Sequence, residues 1–133
     1  MDKVFFEDAS MKFMERSLDL AMQRQNVISA NLANVDTPGY KTIDINFEDE
    51  LKKAIHPESD MAVTNPRHLS SGQGKTMASV TAVEGLTERN DLNNVNIDRE
   101  MAQESTNAMK FSMAAQLLAG KFRTLRSAIN EGR

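Results

Sequence analysis

Two segments of the sequence, one near each end, repeat apolar residues at alternating steps of three and four positions. The first carries this stripe at Met11, Met14, Leu18, Ala21, Gln25, Ile28, Leu32 and Val35. The second carries it at Ile97, Met101, Glu104, Ala108, Phe111, Ala115, Leu118, Phe122, Leu125 and Ile129. Such spacing places one narrow stripe along a helix, as in a coiled-coil seam. The pattern therefore predicts two long helices, at 10–34 and 96–130.

Two positions in these stripes are polar. Gln25 interrupts the first stripe and Glu104 interrupts the second. Polar residues in a seam can fix the register of two helices at some cost in stability. The alternative is that both side chains face solvent on a loosely packed stretch.

The predicted helices have recognisable ends. Asp8 or Ser10 can cap the first helix, and Asn94 or Asn96 can cap the second, because short polar side chains satisfy free backbone N–H groups. Gly120 lies inside the second helix, where it costs about 1 kcal/mol relative to alanine. Close approach of another backbone would explain this glycine.

A turn signal follows the first helix directly, in Thr37-Pro38-Gly39-Tyr40. Proline lacks an N–H group and disfavours helical geometry at the residue before it. A Pro-Gly pair is typical of a type II turn, in which the glycine has a positive φ. The sequence therefore predicts a sharp turn with a positive φ at Gly39.

The middle of the chain, 35–95, is polar and largely irregular by its composition. Alternation at Ile43, Ile45 and Phe47 predicts a short extended segment, and 47–55 has the pattern of a short helix. The stretch 77–83 alternates as well, which fits either a strand or a linker. The fold class is therefore mainly α, with short strands or a short helix between the two end helices.

Composition narrows the possible functions. A chain of 133 residues predicts a single domain over 1–133, and its narrow stripes predict a weakly folded isolated chain. A net charge of −3 without a Lys/Arg-rich cluster argues against nucleic acid as a partner. No apolar run reaches the roughly 18 residues that span a bilayer, and the first residues lack the pattern of a cleavable signal peptide. These features alone predict a cytoplasmic protein, unless another export route exists.

Catalytic and metal-binding patterns are weak. The two histidines, His56 and His68, lack a helical ligand spacing, and no cysteine is present. The acidic run 48–50 is expected on an exposed stretch, with no apolar surroundings to raise a pKa. No phosphate-binding glycine loop or nucleophile motif occurs. We therefore expect no catalytic residue, no metal and no cofactor.

The block from Ser29 to Lys41 resembles the N-terminal signature of the bacterial flagellar rod and hook proteins, a run of the form A-x-N-x-A-N-x-x-T-P-G-Y. The matching signature residues are Asn31, Ala33, Asn34, Thr37, Pro38, Gly39 and Tyr40. The segment from Asp91 to Met101 also resembles that family's D-G-N-x-V-x-x-x-x-E-M motif, with Leu92 in place of the usual glycine. The short length and the segment 44–51 resemble the proximal rod subgroup.

The resemblance implies a structural subunit of the flagellar rod, which transmits torque from the membrane ring to the hook. It implies antiparallel pairing of the two end helices in an inner domain, self-association, and contacts with other rod proteins, the ring-to-rod adaptor and the export gate. It also implies a periplasmic place in the basal body, reached without a cleaved signal. The expected assembly seam comprises Leu18, Ile28, Leu32, Met101, Phe111, Leu118, Phe122 and Leu125.

A rival interpretation comes from the seams alone. A cytosolic helical adaptor or chaperone that binds a partner helix would share both stripes, but it would not need the signature turn. An enzyme is the third reading, and the weak catalytic patterns disfavour it.

Overall fold

The computed structural model describes residues 9–55 and 77–131. Their elements are helix α1 (Ala9–Ala33), strand β1 (Ile43–Ile45), helix α2 (Phe47–Ile55), strand β2 (Val80–Ala82) and helix α3 (Ile97–Glu131). The predicted end helices are confirmed to within one residue at each end, and α2 occupies the predicted range. The mainly α fold class is confirmed.

Helices α1 and α3 run antiparallel. Gln25 of α1 donates to Glu104 of α3, whereas Ala21, one turn earlier, accepts a hydrogen bond from Asn107, one turn later. Descending numbers on α1 therefore match ascending numbers on α3. The main packing of α3 is against α1. Two long side chains of α3 reach other elements: Arg99 lies 3.9 Å from Asp44 of β1, and Lys110 Nζ lies 5.0 Å from the centre of the Phe47 ring of α2. The implied antiparallel pairing of the end helices is confirmed.

Helix α1 is buried on two sides, of which the sequence predicted one. Ala21 and Ile28 belong to the predicted stripe and are each 1% exposed. Leu20 and Val27 lie on another side of the helix and form the apolar core with Ile45. Ala78 completes this core, and Ile43, Phe47 and Leu51 pack against it. The apolar core thus lies between α1, α2 and the strands, away from α3.

The two strands form a small antiparallel sheet. Ile43 pairs with Ala82 and Ile45 with Val80, and beyond the strand ends Val83 N–H donates to Thr42 C=O at 2.8 Å. Of the two alternatives for 77–83, a strand or a linker, the structure shows a strand over Val80–Ala82. The pairing therefore joins β2 to β1, although the two strands are far apart in the sequence.

Asparagine caps two helices. Asn96 Oδ1 accepts a hydrogen bond from Arg99 N–H at 3.1 Å, so Asn96 caps α3. Asn46 Oδ1 accepts from Asp49 N–H at 3.3 Å at the start of α2. Ser10 lies inside α1 and not at its cap position.

The expectation that the acidic run 48–50 is exposed is wrong for Glu50. Glu50 is only 6% exposed, and its Oε1 accepts a hydrogen bond from Lys53 Nζ at 2.8 Å. That hydrogen bond lowers the pKa of Glu50, although burial acts in the opposite direction. Glu50 also lies 3.8 Å from the guanidinium of Arg16, so it joins α2 to α1.

Several expectations lie outside the described residues. They concern Asp8 as a helix cap and the two histidines, His56 and His68. Within the described helices, none combines the length and hydropathy that crossing a bilayer requires.

Candidate functional site

The signature residue Asn31 uses every hydrogen-bonding position of its side-chain amide. Its Nδ2 donates to Ile43 C=O at 2.8 Å and to Glu100 Oε2 at 3.0 Å. Its Oδ1 accepts from Ile43 N–H at 3.1 Å and from Tyr40 Oη–H at 3.2 Å. Asn31 lies in the last turns of α1 and is 1% exposed. It therefore bonds the free edge of β1 as a neighbouring strand would, and ties that strand to α3.

Glu100 is the partner of Asn31 on α3 and is fully buried. Its second oxygen, Oε1, accepts a hydrogen bond from Arg99 Nη1 at 2.7 Å. The arginine supplies the positive charge that a buried carboxylate requires. Burial raises the pKa of the Tyr40 hydroxyl, and the nearby charge of Glu100 raises it further. The phenol thus stays a donor toward Asn31.

Asn93 joins the two sequence motifs directly. It is fully buried, and its Nδ2 donates to Asn34 C=O at 2.9 Å and to Thr37 C=O at 2.8 Å. Its Oδ1 accepts from Val95 N–H at 2.8 Å. Asn34 C=O also accepts from Thr37 N–H at 3.0 Å and Thr37 C=O from Tyr40 N–H at 3.2 Å, so the Asn93 amide adds a second donor to each carbonyl and joins the turn to the second motif.

Asn94 makes the next connection. Its Oδ1 accepts from Thr42 N–H at 2.7 Å, and its backbone carbonyl accepts from Thr42 Oγ1–H at 3.1 Å. Thr42 and Asn94 are both buried. We call the set Asn31, Tyr40, Thr42, Asn93, Asn94 and Glu100 the motif junction. The sequence analysis quoted Asn93 and Asn94 within a motif but did not name them as site residues.

The turn after α1 has the predicted geometry. Gly39 has a φ of 73°, and Tyr40 N–H donates to Thr37 C=O at 3.2 Å, which closes the turn. Gly39 N–H donates to Asp91 C=O at 2.8 Å, so the turn is also bonded to the second motif. The prediction of a positive φ at Gly39 is confirmed.

Leu92 stands where the resembling family has glycine. The backbone conformation of Leu92 shows why glycine suits this position. Its φ is 65°, the one positive φ among the described residues that are not glycine. Leu92 N–H donates to Arg89 C=O at 2.9 Å, which closes a second turn, and its carbonyl accepts from Lys41 Nζ at 2.9 Å. The departure from the motif keeps the turn but places a leucine in a conformation that favours glycine.

The other signature residues lie around the junction. Asn34 Nδ2 donates to Ala30 C=O at 2.8 Å, and its Oδ1 accepts from Thr37 Oγ1–H at 3.1 Å. Asn34 therefore caps the end of α1. Ala33 and Pro38 are exposed.

Polar side chains line the contact between α1 and α3. Gln25 Nε2 donates to Glu104 Oε1 at 3.1 Å, and Asn107 Nδ2 donates to Ala21 C=O at 2.8 Å and to Gln25 Oε1 at 3.2 Å. Arg24 adds a long hydrogen bond of 3.4 Å to Gln103. The side of α3 that faces α1 is thus largely polar, at Glu100, Glu104 and Asn107, with buried Ala114 farther along.

The expected assembly seam is divided between buried and exposed positions. Ile28 is buried, and Leu18, Leu32, Leu118 and Leu125 are half-buried. The others are exposed on α3, with exposed fractions of 51% for Met101, 41% for Phe111 and 51% for Phe122. Their part in assembly stays a prediction.

The chemistry of the motif junction is that of a structural joint. Each amide group in it is bonded to backbone or side-chain groups of the same chain. Among the described residues, His, Asp and Glu form no group that could hold a metal ion.

Comparison of the sequence with known proteins matches the chain to one family. A family model described as "Flagella basal body rod protein" matches residues 13–41, which include the first motif of the junction. The chain is 32% identical to the flagellar basal body rod protein FlgB of Escherichia coli K12, over 94% of this chain and 96% of that protein. It is 34% identical to FlgB of Buchnera aphidicola, over 85% and 88%, and 28% identical to FlgB of Bacillus subtilis, over 90% and 92%. The chain belongs to the FlgB family of structural subunits of the flagellar basal-body rod.

Proposed function

We propose that this chain is the proximal rod subunit and that the motif junction is the rigid joint through which it carries torque between the membrane ring and the hook. The observation that carries the proposal is the bonding of two motifs more than 50 residues apart by buried amides. Asn93 alone bonds both the end of α1 and the turn that follows it.

A rod requires that its subunits keep a fixed internal angle, which a rigid joint provides. Subunits related by one repeated contact build a tube, and any angular error in one subunit recurs in all of them. The motif junction fixes the direction in which the chain leaves α1, because Asn31 bonds β1 and Gly39 bonds the segment before α3. The pair of long helices and the small sheet layer are thereby held at one angle.

The remaining parts of the proposal concern the location of the protein in the cell and its binding partners. Rod proteins of this family assemble with other components of the basal-body rod. We include the ring-to-rod adaptor and the export gate as partners, and a periplasmic location reached without a cleaved signal. The resemblance of 44–51 to the proximal subgroup, and of the second motif to the rod and hook family, supports this part.

The test replaces Asn93, whose amide is central to the motif junction, and compares the effect with that of replacing a nearby asparagine. Asn93→Ala would remove the second donor from the carbonyls of Asn34 and Thr37, leave the buried Val95 N–H without its acceptor, and cost about 1–3 kcal/mol. Asn90→Ala changes an exposed asparagine three residues earlier and serves as the control. We expect Asn93→Ala to abolish swimming and rods in purified basal bodies while the subunit is still exported. Normal rods in the Asn93→Ala strain would contradict the proposal.

The adaptor alternative makes a different prediction. A cytosolic adaptor would remain in the cytoplasm and would not copurify with basal bodies. An epitope-labelled subunit that supports swimming should instead be recovered in purified basal bodies. Its absence from them in swimming cells would favour the adaptor.

A further inference from the structure

We propose that the outer edge of β2 binds an extended segment of a different basal-body protein, which adds to the sheet as a third strand. The observation that carries this inference is the direction of the backbone N–H and C=O groups along the two edges of the sheet. The inference rests on the proposed function, because it identifies a place at which the rod subunit would meet a partner.

The register of the sheet determines which backbone groups of β2 face β1. Val83 N–H donates to Thr42 C=O at 2.8 Å, so the backbone groups of Val83 point toward β1. Successive residues of an antiparallel strand turn their backbone groups to opposite sides. Those of Thr81 therefore also point toward β1, where Asp44 lies opposite. The N–H and C=O groups of Val80 and Ala82 point away from β1.

The opposite edge of the sheet supports this alternation. Ile43 lies opposite Ala82, and both its N–H and its C=O are bonded to the side chain of Asn31 on the far side of β1. Two residues that face each other without exchanging hydrogen bonds both turn their backbone groups outward. Since Ile43 does so toward Asn31, Ala82 does so toward the outer edge of β2.

The two edges differ in how they are completed. Asn31 completes the edge of β1 from within the chain. On β2, no hydrogen bond from the described residues reaches the outward groups of Val80 and Ala82, and the sheet has two strands. Residues 79–82 are all exposed. An exposed row of unpaired N–H and C=O groups is a template for pairing with another strand.

The side chains along β2 do not protect this edge. Charged residues, proline or a bulge commonly keep an edge strand from pairing, but the stretch 77–83 has neither a charge nor a proline. Val80 is 46% exposed, although it lies opposite Ile45, which is 3% exposed and belongs to the apolar core. A third strand would place its own apolar side chains beside Val80 and extend the core across the sheet.

The occupant has to be an extended segment, because a helix uses its backbone groups internally. A second copy of this chain offers no such segment among its described residues apart from β2 itself, since β1 is bonded along both edges. Two copies of β2 would each use the same edge, so their contact would be two-fold and would close instead of repeating along a rod. The occupant is therefore a segment of another protein.

The surroundings of β2 indicate the chemistry of this segment. Small or β-branched apolar residues at alternate positions would match Val80 and Ala82, which lie on one side of the sheet. Glu84 follows β2 closely, is exposed, and has no ion pair with any described residue. A lysine or arginine at the corresponding end of the segment would complement that charge. The partner is thus an extended segment with alternating apolar residues and one basic end.

Photo-cross-linking in assembled basal bodies tests the site. Thr81→p-benzoylphenylalanine places a photoreactive side chain on the exposed strand, while the backbone of residue 81 stays bonded to β1. We expect an adduct with a different protein. Ala82→Pro and Val80→Pro each remove one outward N–H and should reduce the adduct at least tenfold. Thr87→Pro, at an exposed position outside the strand, is the matched control and should leave the adduct unchanged.

Hydrogen exchange tests the same bonds with the backbone unchanged. In basal bodies, the amides of Val80 and Ala82 should exchange at least tenfold more slowly than in the isolated chain, because the added strand accepts from them. The exposed amide of Thr87 serves as the internal reference. Exchange at Val80 and Ala82 as fast as at Thr87 in basal bodies would overturn the inference.

The remaining outcomes are also decisive. An adduct with another copy of this chain, or within one copy, would overturn the choice of occupant. An adduct that survives both proline substitutions would show a contact other than strand addition. Rods that contain the subunit but give no adduct contradict this inference alone, whereas normal rods that lack the subunit contradict the proposed function. The midpoint of urea denaturation shows whether the proline variants fold, and if they do not, hydrogen exchange decides.

Discussion

Gln25 and Glu104, the polar residues that interrupt two otherwise apolar stripes, are hydrogen-bonded to each other at 3.1 Å across the contact between α1 and α3. Of the two expectations for these residues, a register-setting pair or loose solvent-facing positions, the structure supports the first. Gln25 Oε1 also accepts from Asn107, so the pair is part of a longer polar contact. A shift of one helix along the other would break these bonds together.

The pair should therefore show a measurable coupling energy. In a double-mutant cycle of Gln25→Ala and Glu104→Ala, we expect the free energies of unfolding to depart from additivity by about 0.5–1.5 kcal/mol. Urea denaturation gives these values. Gln25→Ala combined with Glu84→Ala, a distant exposed residue, should be additive. A coupling near zero for the first pair would mean that the contact does not set the register.

The backbone at Leu92 predicts a stabilising substitution. A leucine with a φ of 65° is strained relative to glycine, and its side chain is 59% exposed, so little packing is lost on its removal. Leu92→Gly should raise the free energy of unfolding by about 1 kcal/mol. Thermal denaturation measures the change. The control is Asn90→Gly, at a position without a positive φ, which should not stabilise; equal effects of the two variants would refute the strain argument.

Two glycines should respond in opposite directions to alanine. Gly39 has a φ of 73°, so Gly39→Ala should destabilise the chain by about 1 kcal/mol or more. Gly120 is in a helix with open space at its Cβ, so Gly120→Ala should stabilise the isolated chain by about 1 kcal/mol. Chemical denaturation of both variants measures the pair of effects. Effects of the same sign would show that one of the two backbone arguments is wrong.

Glu50 should contribute a pH-dependent part of stability. Its pKa is lowered below the ordinary value of 4.5, mainly by the hydrogen bond from Lys53, so the folded state favours the ionised carboxylate. The contribution is fully present above that ordinary value and is lost as the pH falls through the lower folded pKa. Glu50→Gln should thus be less stable at neutral pH and lose less stability on acidification.

The measurement is the free energy of unfolding at about pH 6 and about pH 3. Glu48→Gln changes an exposed carboxylate two residues earlier and should follow the unmodified chain. If Glu50→Gln loses as much stability on acidification as the unmodified chain, another group is responsible.

The ends of the helices and the turn were predictable because local chemistry decides them. Pro38 and Gly39 determine where α1 ends, and Asn96 determines where α3 begins, each through its own backbone or side chain. The stripe on α1 was predictable for the same reason, since Ala21 and Ile28 are apolar and lie on the side toward α3.

The side of α3 that faces α1 was not predictable from the spacing of hydrophobic residues. That method assigns the apolar side of a helix to its partner, but here the polar residues Glu100 and Asn107 face α1 while Met101 and Phe122 are exposed. Likewise, Leu20 and Val27 form a second buried side of α1. They are buried by the strands, and the position of the strands depends on contacts between residues far apart in the sequence. The long-range contacts of Asn93 gave no local signal, because the carbonyls that its Nδ2 bonds are more than 50 residues away.

The choice of asparagine for three of the central positions of the motif junction has a consequence for its operating conditions. Carboxamides at Asn31, Asn93 and Asn94 carry no charge and do not titrate, and salt screens only charged contacts effectively. The bonds that these amides make to backbone groups therefore keep the same strength when acidity or ionic strength changes around the molecule. Surface ion pairs weaken as salt rises, whereas the amide-to-backbone bonds between the two motifs do not.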